Sequence, residues 1–292
     1  MVNEDREKPG VLRMADVRRR FDRAAATFDD ASFVHRHAAD GLLQRMSPML
    51  VKVERILDAG AATGDASRRL AKLYRQSRVV SLDCSGNMLR ASRKKRTRFS
   101  RISEIQADAA ALPLRRGSID LAFANMLLPW LNDLDVFFDS VNRALRKDGL
   151  FVFSTLGPDS LREIRAAWAT VDRGEHVNAF IDMHDIGDTL VRSGLREPVL
   201  DVDYLTVTYR TVDDLFADLT RSGSRNCLAG RQRALTGRGR FEAVKQVLSG
   251  NGGEAVPPLR LELVFGHAWG GGPRPTPGEF RLDPSRIGRR RR

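Results

Sequence analysis

The chain has 292 residues, 42% of them hydrophobic, which is typical of one large folded unit or two small domains and excludes a disordered tail or a fibre. Its N-terminus is charged, no apolar run approaches the length of a membrane span, and Cys84 and Cys227 lie outside any CxxC or Cys/His cluster, so we expect a cytoplasmic protein without disulfides or metal. The net charge of +12 indicates either an anionic partner or local basic segments on a solvated surface, such as the cluster at 93–101 and the Arg-ended tail.

Short apolar runs alternate with amphipathic stretches from Val51 to about Leu156. In chain order the predicted elements are strand one in VERILDAG, a helix in ASRRLAKLYR, strand two in SRVVSLDCS, a helix beginning near Gly86, strand three in ISEIQADAA, strand four in SIDLAFANML, a helix in LDVFFDSVNRALRKDG with Gly149 as C-cap, and strand five in LFVFSTLG. Two further strands, VLDVDYLTVTY and LRLELVFGHAW, are expected to pair antiparallel. Strands alternating with helices predict an α/β fold with a doubly wound, mostly parallel, seven-stranded sheet.

The stretch ILDAGAATGD follows strand one, at the edge of the sheet where ligands bind in such folds. Gly60 and Gly64 flank Ala61 and Ala62, so the backbone can approach a ligand closely, although the same residues could simply permit a tight turn. A dinucleotide fingerprint would need glycine at 60, 62 and 65, whereas this chain has Ala62 and Asp65, and a carboxylate would repel a pyrophosphate. A P-loop is excluded because no Gly-Lys-Ser/Thr follows.

Three predicted strands end in an aspartate. Asp58 precedes the glycines, Asp83 is placed to accept both hydrogen bonds of a ribose diol, and Asp108 could accept from an adenine amino group. A nucleoside that carries positive charge satisfies all three, and S-adenosylmethionine is such a ligand.

The segments LDAGAATG, VVSLDCS, QADAAALPL and IDLAFAN occur in the order that resembles the class I S-adenosylmethionine-dependent methyltransferases. Ala62 stands where that family has the middle glycine of its first motif. The resemblance implies a cofactor site formed by Asp58, Gly60, Ala62, Gly64, Asp83, Cys84, Met88, Asp108, Ala109 and Asn125, with Arg36 as a partner for the cofactor's carboxylate.

The segment after strand four, ANMLLPW, lacks the Asn/Asp-Pro-Pro-aromatic motif of amide and adenine N-methyltransferases. Neither cysteine lies in a setting suited to attack on a pyrimidine ring. Without a dedicated base, the expected acceptor is already nucleophilic, such as a carboxylate.

Segments outside the sheet narrow the resemblance to the malonyl-acyl-carrier-protein O-methyltransferases of biotin synthesis. They are FDRAAATFDDASFVHRHAADGLLQRM, FSTLGPDSLREIRAAW, HVNAFIDMHDIGDTLVRSGL, SGSRNCLAGRQRALTG and LELVFGHAW. The resemblance implies methylation of the free carboxylate of malonyl-acyl carrier protein, or of malonyl-CoA, and a carrier protein whose negative charge matches this chain. It also implies a helical cap from residues 1–50 and about 158–240, on a core that spans 51–270 and precedes a Gly/Pro/Arg-rich tail at 271–292.

Candidate residues for the acceptor site follow from this resemblance. Phe28, Asn125 and Trp130 are expected to position the acceptor, and Arg162, Arg165, Arg225 and His35 are candidates for binding it. Phe28 replaces a family tyrosine, and Pro129 precedes Trp130 where the family often has Gln-Trp. The remaining family-like positions, His176, Asn178, Phe180, His267 and Trp269, are interpreted as packing of the cap onto the sheet.

Three other functions are compatible with parts of the sequence. A methyltransferase that acts on nucleic acid would use basic segments such as 93–101, but Phe99 is the single aromatic residue there, so the base-stacking half of such a site is missing. A fold similar to the respiratory complex I assembly factors would act on a protein partner. A pseudo-enzyme, suggested by Ala62 and Phe28, would bind no cofactor.

Overall fold

The structure is a computed structural model that describes residues 10–49, 52–232, 236–250 and 256–272. Its seven-stranded sheet has the order β3-β2-β1-β4-β5-β7-β6. The strands are β1 (Arg55–Ala59), β2 (Arg78–Asp83), β3 (Ile102–Gln106), β4 (Ile119–Asn125), β5 (Leu145–Leu156), β6 (Arg196–Val207) and β7 (Leu259–Trp269). Neighbours among β1 to β5 pair parallel, whereas β7 runs antiparallel to both β5 and β6. The predicted α/β fold, its seven strands and the antiparallel pairing of the last two are confirmed.

Helices cover both faces of the sheet and one end of it. They are α1 (Met14–Ala24), α2 (Phe28–Ala31), α3 (Phe33–Met46), α4 (Asp65–Leu73), α5 (Gly86–Lys95), α6 (Leu134–Ala144), α7 (Arg162–Ala169), α8 (Met183–Arg192), α9 (Val212–Arg221) and α10 (Arg238–Leu248). Several of them begin at a side-chain cap: Ser85, Asp133, Asp182 and Thr211 each accept a hydrogen bond from a backbone N–H in the first turn of the following helix.

The hydrophobic core lies in two layers, one on each face of the sheet. An aromatic group on one face joins α6 to β5 through Phe137, Phe138, Phe151 and Phe153. The other face packs α3 and α4 against β1, β4 and β7. Burial on both faces explains why the central strands read as continuous apolar runs in the sequence.

Three further helices form a separate hydrophobic cluster. Residues of α7, α9 and α10 pack together around Trp168, Leu215 and Val244. By contrast, α8 contacts α6 and β6, so the interval 158–240 contains one helix and one strand of the sheet layers besides cap elements. The division into domains stays a prediction, and the predicted tail lies outside the described residues from position 273 onward.

The predicted C-cap at Gly149 is wrong. Helix α6 ends at Ala144, and Leu145 already begins β5, with Gly149 inside the strand. A Cβ at Gly149 would lie 3.1 to 3.2 Å from three backbone carbonyl oxygens, so the glycine serves close backbone approach rather than a helix end. Asp108 also lies beyond its strand: β3 ends at Gln106, and the Asp108 side chain caps a short 3-10 turn through the Ala110 N–H.

Candidate functional site

The loop after β1 approaches β2 so closely that its own backbone forms the bottom of a cavity. The N–H groups of Gly60 and Ala61 both donate to the Leu82 carbonyl, at 2.8 and 3.0 Å. Gly60, Ala62 and Gly64 all have positive φ, of 74, 46 and 77°. Glycine adopts this conformation without strain, so Ala62 carries a cost of about 1 kcal/mol while keeping the same loop shape.

A steric contact also explains why position 64 is a glycine. A Cβ there would lie 2.1 Å from the Ser92 Oγ of α5. The close contact between this loop and α5 therefore requires glycine at position 64.

Asp83 fixes the loop from the adjacent strand. Its Oδ2 accepts from the Ala62 N–H at 2.9 Å, and its Oδ1 accepts from the Ser85 N–H at 2.8 Å. Burial raises the pKa of this carboxyl, although the two backbone hydrogen bonds oppose the rise. A carboxylate has about four acceptor positions, so these two backbone bonds do not exhaust its capacity to accept.

A small cavity of about 60 Å³ lies above this loop. Ten residues predicted for the site line it together: Phe28, His35, Gly60, Ala62, Asp83, Cys84, Asp108, Ala109, Asn125 and Trp130. Met14, Val17 and Phe21 of α1 close it from the opposite side. The acidic groups and backbone amides suit a nucleoside with a positive centre, and the volume is small beside the roughly 300 Å³ of common ligand pockets.

Two aspartates connect the N-terminal helices, which cover the small cavity, to the residues beneath it. Asp22 Oδ1 accepts from the Ser85 Oγ at 2.7 Å and from the Asn87 N–H at 3.1 Å. Asp29 accepts from the Thr63 Oγ1 at 2.5 Å and forms an ion pair with Lys95. Both aspartates thus join the cover of the cavity to its floor.

Four residues predicted for the cofactor lie outside the cavity wall. Asp58 is buried and accepts from the Ser67 Oγ at 2.5 Å, and burial raises its pKa to about 7. Met88 packs beneath Phe28 and Ala24. Gly64 begins α4, and the Arg36 guanidinium donates to the Asp29 carbonyl and to the Ser32 Oγ.

A second cavity, of about 1000 Å³, lies between the sheet edge and the cap helices. Apolar side chains such as Phe33, Trp168 and Phe216 form much of its wall. His35, Met126 and Trp130 line both cavities, and we call these three residues the junction. A group that enters the large cavity can therefore meet a ligand of the small cavity at the junction.

The junction is fixed by hydrogen bonds and by a strained residue. Asn125 Nδ2 donates to the His35 carbonyl at 2.9 Å, and its Oδ1 accepts from the Ser154 Oγ at 2.8 Å. Met126 has φ of 55°, a conformation that costs about 1 to 3 kcal/mol and is common at functional sites. Burial lowers the pKa of His35 to about 4, so its ring is neutral at pH 7, and its Nδ1 has no hydrogen-bond partner in the described part of the chain.

The arginines predicted to bind the acceptor do not all lie at the large cavity. Arg225 lines the large cavity. Arg162 is exposed and paired with Asp159 at 2.5 Å, and Arg165 donates to the Asn178 carbonyl at 3.4 Å, both outside the cavity wall. The structure therefore brings Arg225 and His35 to the large cavity, but not Arg162 or Arg165.

The family-like cap residues fall in two places. His176 stacks on Trp168 with ring centroids 3.7 Å apart, and it lines the large cavity with Asn178 and Phe180. His267 and Trp269 lie on β7 within the sheet, away from both cavities.

Sequence reasoning missed Arg20, Phe21 and Met126 as cavity residues. The first two lie on α1, where an arginine run precedes a phenylalanine, a pattern that equally fits a solvated amphipathic helix. Met126 follows the end of β4 directly, and its position after a strand end was the available signal.

The described residues contain no group of three His, Cys, Asp or Glu side chains arranged for a metal ion. Within the same residues, none of the helices combines the length and the apolar character that crossing a bilayer demands.

Comparisons with known proteins agree with the fold and the site. The methyltransferase domain family matches residues 57–153, which include the loop after β1 and Asp83. The malonyl-[acyl-carrier protein] O-methyltransferase of Methylovorus sp. (strain MP688) is 42% identical over 265 residues, covering 89% of this chain and 90% of the relative. The enzyme of the same name from Halorhodospira halophila is 37% identical over 293 residues and covers 97% of this chain and 99% of the relative.

Solved structures share the fold at low sequence identity. A putative methyltransferase from Bacillus halodurans superposes with a TM-score of 0.59 at 13% identity, covering 80% of this chain and 99% of that one. A phosphoethanolamine N-methyltransferase of Haemonchus contortus in complex with S-adenosyl-L-methionine gives 0.53 at 17% identity, covering 91% and 61%.

Proposed function

The chain belongs to the malonyl-[acyl-carrier protein] O-methyltransferase family, and from this premise we propose that it methylates the free carboxylate of malonyl-acyl carrier protein in an early step of biotin synthesis. One observation carries the proposal: two cavities of different character meet at His35, Met126 and Trp130. The small cavity has the donors and acceptors for a nucleoside, and the large one has the room and the charge for an acyl thioester.

The residues of the small cavity would hold S-adenosylmethionine. Asp83 would accept from the ribose hydroxyls, Asp108 and Ala109 would contact the adenine, and the backbone of Gly60 and Ala62 would follow the methionine part. When bound, S-adenosylmethionine supplies a methyl group on a positively charged sulfur. The acidic side chains of this wall favour that charge.

The junction supplies orientation rather than proton transfer. A malonyl carboxylate is ionised at neutral pH, so no base is needed to activate it. His35 is neutral there and can hydrogen-bond to a carboxylate without forming an ion pair that would weaken the nucleophile. Asn125 holds the His35 backbone, and Trp130 and Met126 complete an apolar surround that excludes water.

An acyl carrier protein is the partner that this proposal implies. Carrier proteins of this kind are acidic, and a chain of net charge +12 attracts such a partner over a distance. The proposal also places the protein in the cytoplasm.

The alternatives find less support in the structure. In the basic segment 93–101, Arg93 and Arg96 both pair with Glu104, which reduces the charge available to a nucleic acid. Ala62 keeps the left-handed backbone of the loop, so the departure that suggested a pseudo-enzyme leaves the cradle formed.

The test uses S-adenosylmethionine with an isotopically labelled methyl group. We expect the purified protein to add one base-labile methyl to malonyl-acyl carrier protein and none to acetyl-acyl carrier protein, which lacks the carboxylate. Mass spectrometry of the carrier detects both results. Cofactor binding in calorimetry without transfer would mean a different acceptor, and an absence of binding would mean a pseudo-enzyme.

A further inference from the structure

The large cavity contains an imbalance of charge. Three aspartates in its wall are already engaged: Asp172 with His176 at 2.7 Å, Asp213 with Lys245 at 3.0 Å, and Asp218 with the Tyr209 hydroxyl at 3.2 Å. The acidic groups of this wall therefore each have a partner within the protein.

The arginines of the wall divide into paired and unpaired groups. Arg221 pairs with Asp30 at 3.6 Å and Arg231 with Asp16 at 2.5 Å. Arg20 and Arg225 form no ion pair with any carboxylate of the described residues, and the exposed Arg238 at the start of α10 likewise forms none.

Arg20 and Arg225 differ from Arg238 because they lie together. The Arg20 guanidinium interacts with the Cys227 thiol, and that thiol donates to the Arg225 carbonyl at 3.4 Å. Burial by its neighbours, and then the positive charge of Arg20, lower the pKa of Arg225. Both guanidinium groups line the same cavity without an ion-pair partner among the described residues, so an anion that enters the cavity can meet both of them.

The acceptor offers two anionic groups, and the reaction distinguishes them. The malonyl carboxylate loses its charge when it becomes an ester, so cations that bind it tightly would stabilise the reactant more than the transition state. Arg20 and Arg225 also line only the large cavity and are absent from the junction where the carboxylate has to react. An anion that keeps its charge throughout the reaction suits the pair better.

We propose that Arg20 and Arg225 bind the phosphate of the phosphopantetheine arm on which an acyl carrier presents its thioester. The inference rests on the proposed function and adds a subsite to it. Guanidinium groups match phosphate oxygens in geometry and charge. The cavity of about 1000 Å³ exceeds the need of a malonyl group, and its apolar wall, with Phe33, Leu161 and Phe216, suits the remainder of the arm.

The experiment compares two small acceptors, malonyl-pantetheine and malonyl-4′-phosphopantetheine, which differ only in the phosphate. For the unmodified protein we expect a KM at least about tenfold lower with the phosphate present, as charge-assisted hydrogen bonds of this kind imply. In the double variant Arg20→Gln/Arg225→Gln this preference should disappear, because KM for malonyl-4′-phosphopantetheine rises to that for malonyl-pantetheine. Because that acceptor is measured on the same variant, it reports directly whether the variant is folded.

Arg240→Gln is the matched control, since Arg240 is an exposed arginine of α10 outside the cavity wall that contacts Gln232. It should keep the phosphate preference. Equal KM values for the two acceptors in the unmodified protein would overturn the proposal. A double variant that keeps the thermal unfolding transition of the unmodified protein but loses kcat on both acceptors would also overturn it, because that result would place the arginines on the carboxylate.

Binding without turnover separates this inference from the proposed function. Calorimetry with 4′-phosphopantetheine and with pantetheine, neither of which can be methylated, should show the phosphate preference in the unmodified protein and its loss in the double variant. If no acceptor is methylated but this preference holds, the proposed reaction fails and the phosphate subsite stands. If methylation proceeds and the preference is absent, the subsite fails alone.

Discussion

Two aspartates at the ends of adjacent strands have opposite environments. Asp83 lines the small cavity, whereas Asp58 is turned away from it, onto Ser67 at the start of α4. The Ser67 Oγ also lies 2.6 Å from the Ser81 Oγ, so Asp58 belongs to a buried polar group that joins β1, β2 and α4. The same residue type therefore lines the small cavity at one position and belongs to the scaffold at the other.

We expect Asp83→Asn to weaken S-adenosylmethionine binding by roughly 10- to 100-fold, because the amide presents a donor where ribose hydroxyls and two backbone N–H groups need acceptors. Asp58→Asn should change this affinity less than about threefold, since the side chain at position 58 does not line the cavity. Isothermal titration of both variants checks the contrast. A large loss in Asp58→Asn at unchanged thermal stability would contradict it.

Asp58 also makes stability depend on pH. Its pKa is about 7 in the folded protein and 3.8 as the ordinary value, so between these limits the folded state binds more protons than the unfolded state. Stability is therefore lost as the pH rises from about 4 to 7, by about 4 kcal/mol at most. Asp58→Asn removes this pH dependence. In urea unfolding, the free energy of unfolding of the variant should therefore rise relative to that of the unmodified protein as the pH increases over that range. A constant difference would contradict the assignment.

At the scale of elements, the first two helices cover the small cavity, which is the site proposed for the cofactor. They contribute Met14, Val17, Phe21 and Phe28 to its wall. Asp22 attaches α1 to the start of α5, because it bonds to both the Ser85 side chain and the Asn87 backbone. Opening requires these bonds to break while the sheet stays in place.

Asp22→Ala should therefore speed up both binding and release of S-adenosylmethionine, since losing two hydrogen bonds to one carboxylate lowers the cost of opening by about 1 to 3 kcal/mol. Stopped-flow fluorescence, with Trp130 of the junction as the reporter, measures the rates. Asp30→Ala, which removes an exposed carboxylate paired only with Arg221, is the control and should leave the rates unchanged. Unchanged rates in Asp22→Ala would mean that the cover opens elsewhere.

On the scale of the whole molecule, one of the strongly basic segments lies where the cap meets the large cavity. Residues 221–232 contain Arg221, Arg225 and Arg231 and no acidic residue, and Arg238 and Arg240 follow. This segment lies beside the cavity into which the arm of an acidic carrier would reach. The basic segment and the large cavity therefore lie on the same side of the molecule.

Raising the salt concentration should consequently raise KM for malonyl-acyl carrier protein several-fold between about 0.05 and 0.5 M, because exposed charges are screened over this range. KM for malonyl-pantetheine, which lacks both the protein and the phosphate, should stay within about twofold. Steady-state kinetics on both acceptors checks the difference. An equal rise for both would indicate a salt effect on the enzyme itself.

The sheet and the cofactor loop were predictable because they follow from local patterns. Apolar runs that alternate with helices fix a parallel sheet, and small residues at 60 to 64 mark the loop. The end of α6 was misplaced because Gly149 is a strong stop signal in sequence, while tertiary pairing of Leu145 with Ile119 begins the strand earlier. Glycine preference alone does not distinguish a helix end from a close backbone contact.

The acceptor side could be predicted only in part. Arg225 and His35 line the large cavity, and their part in binding the acceptor stays a prediction, whereas Arg162 is paired locally with Asp159, as their spacing of three residues allows. The meeting of Arg20 with Arg225 depends on how α1 lies against the segment after α9, which includes a backbone bond from the Arg13 N–H to the Cys227 carbonyl at 2.9 Å. Such long-range contacts leave no periodic signal in the chain.

Helix α1 contributes to both cavities, with Phe21 in the wall of the small one and Arg20 in the wall of the large one. A displacement of this helix that admits a nucleoside therefore also moves one half of the arginine pair. Thermodynamic linkage then makes the influence mutual: whatever factor the first ligand applies to the affinity of the second, the second applies to the first. Because one helix lines both cavities, a ligand in either cavity can change the affinity of the other cavity for its own ligand.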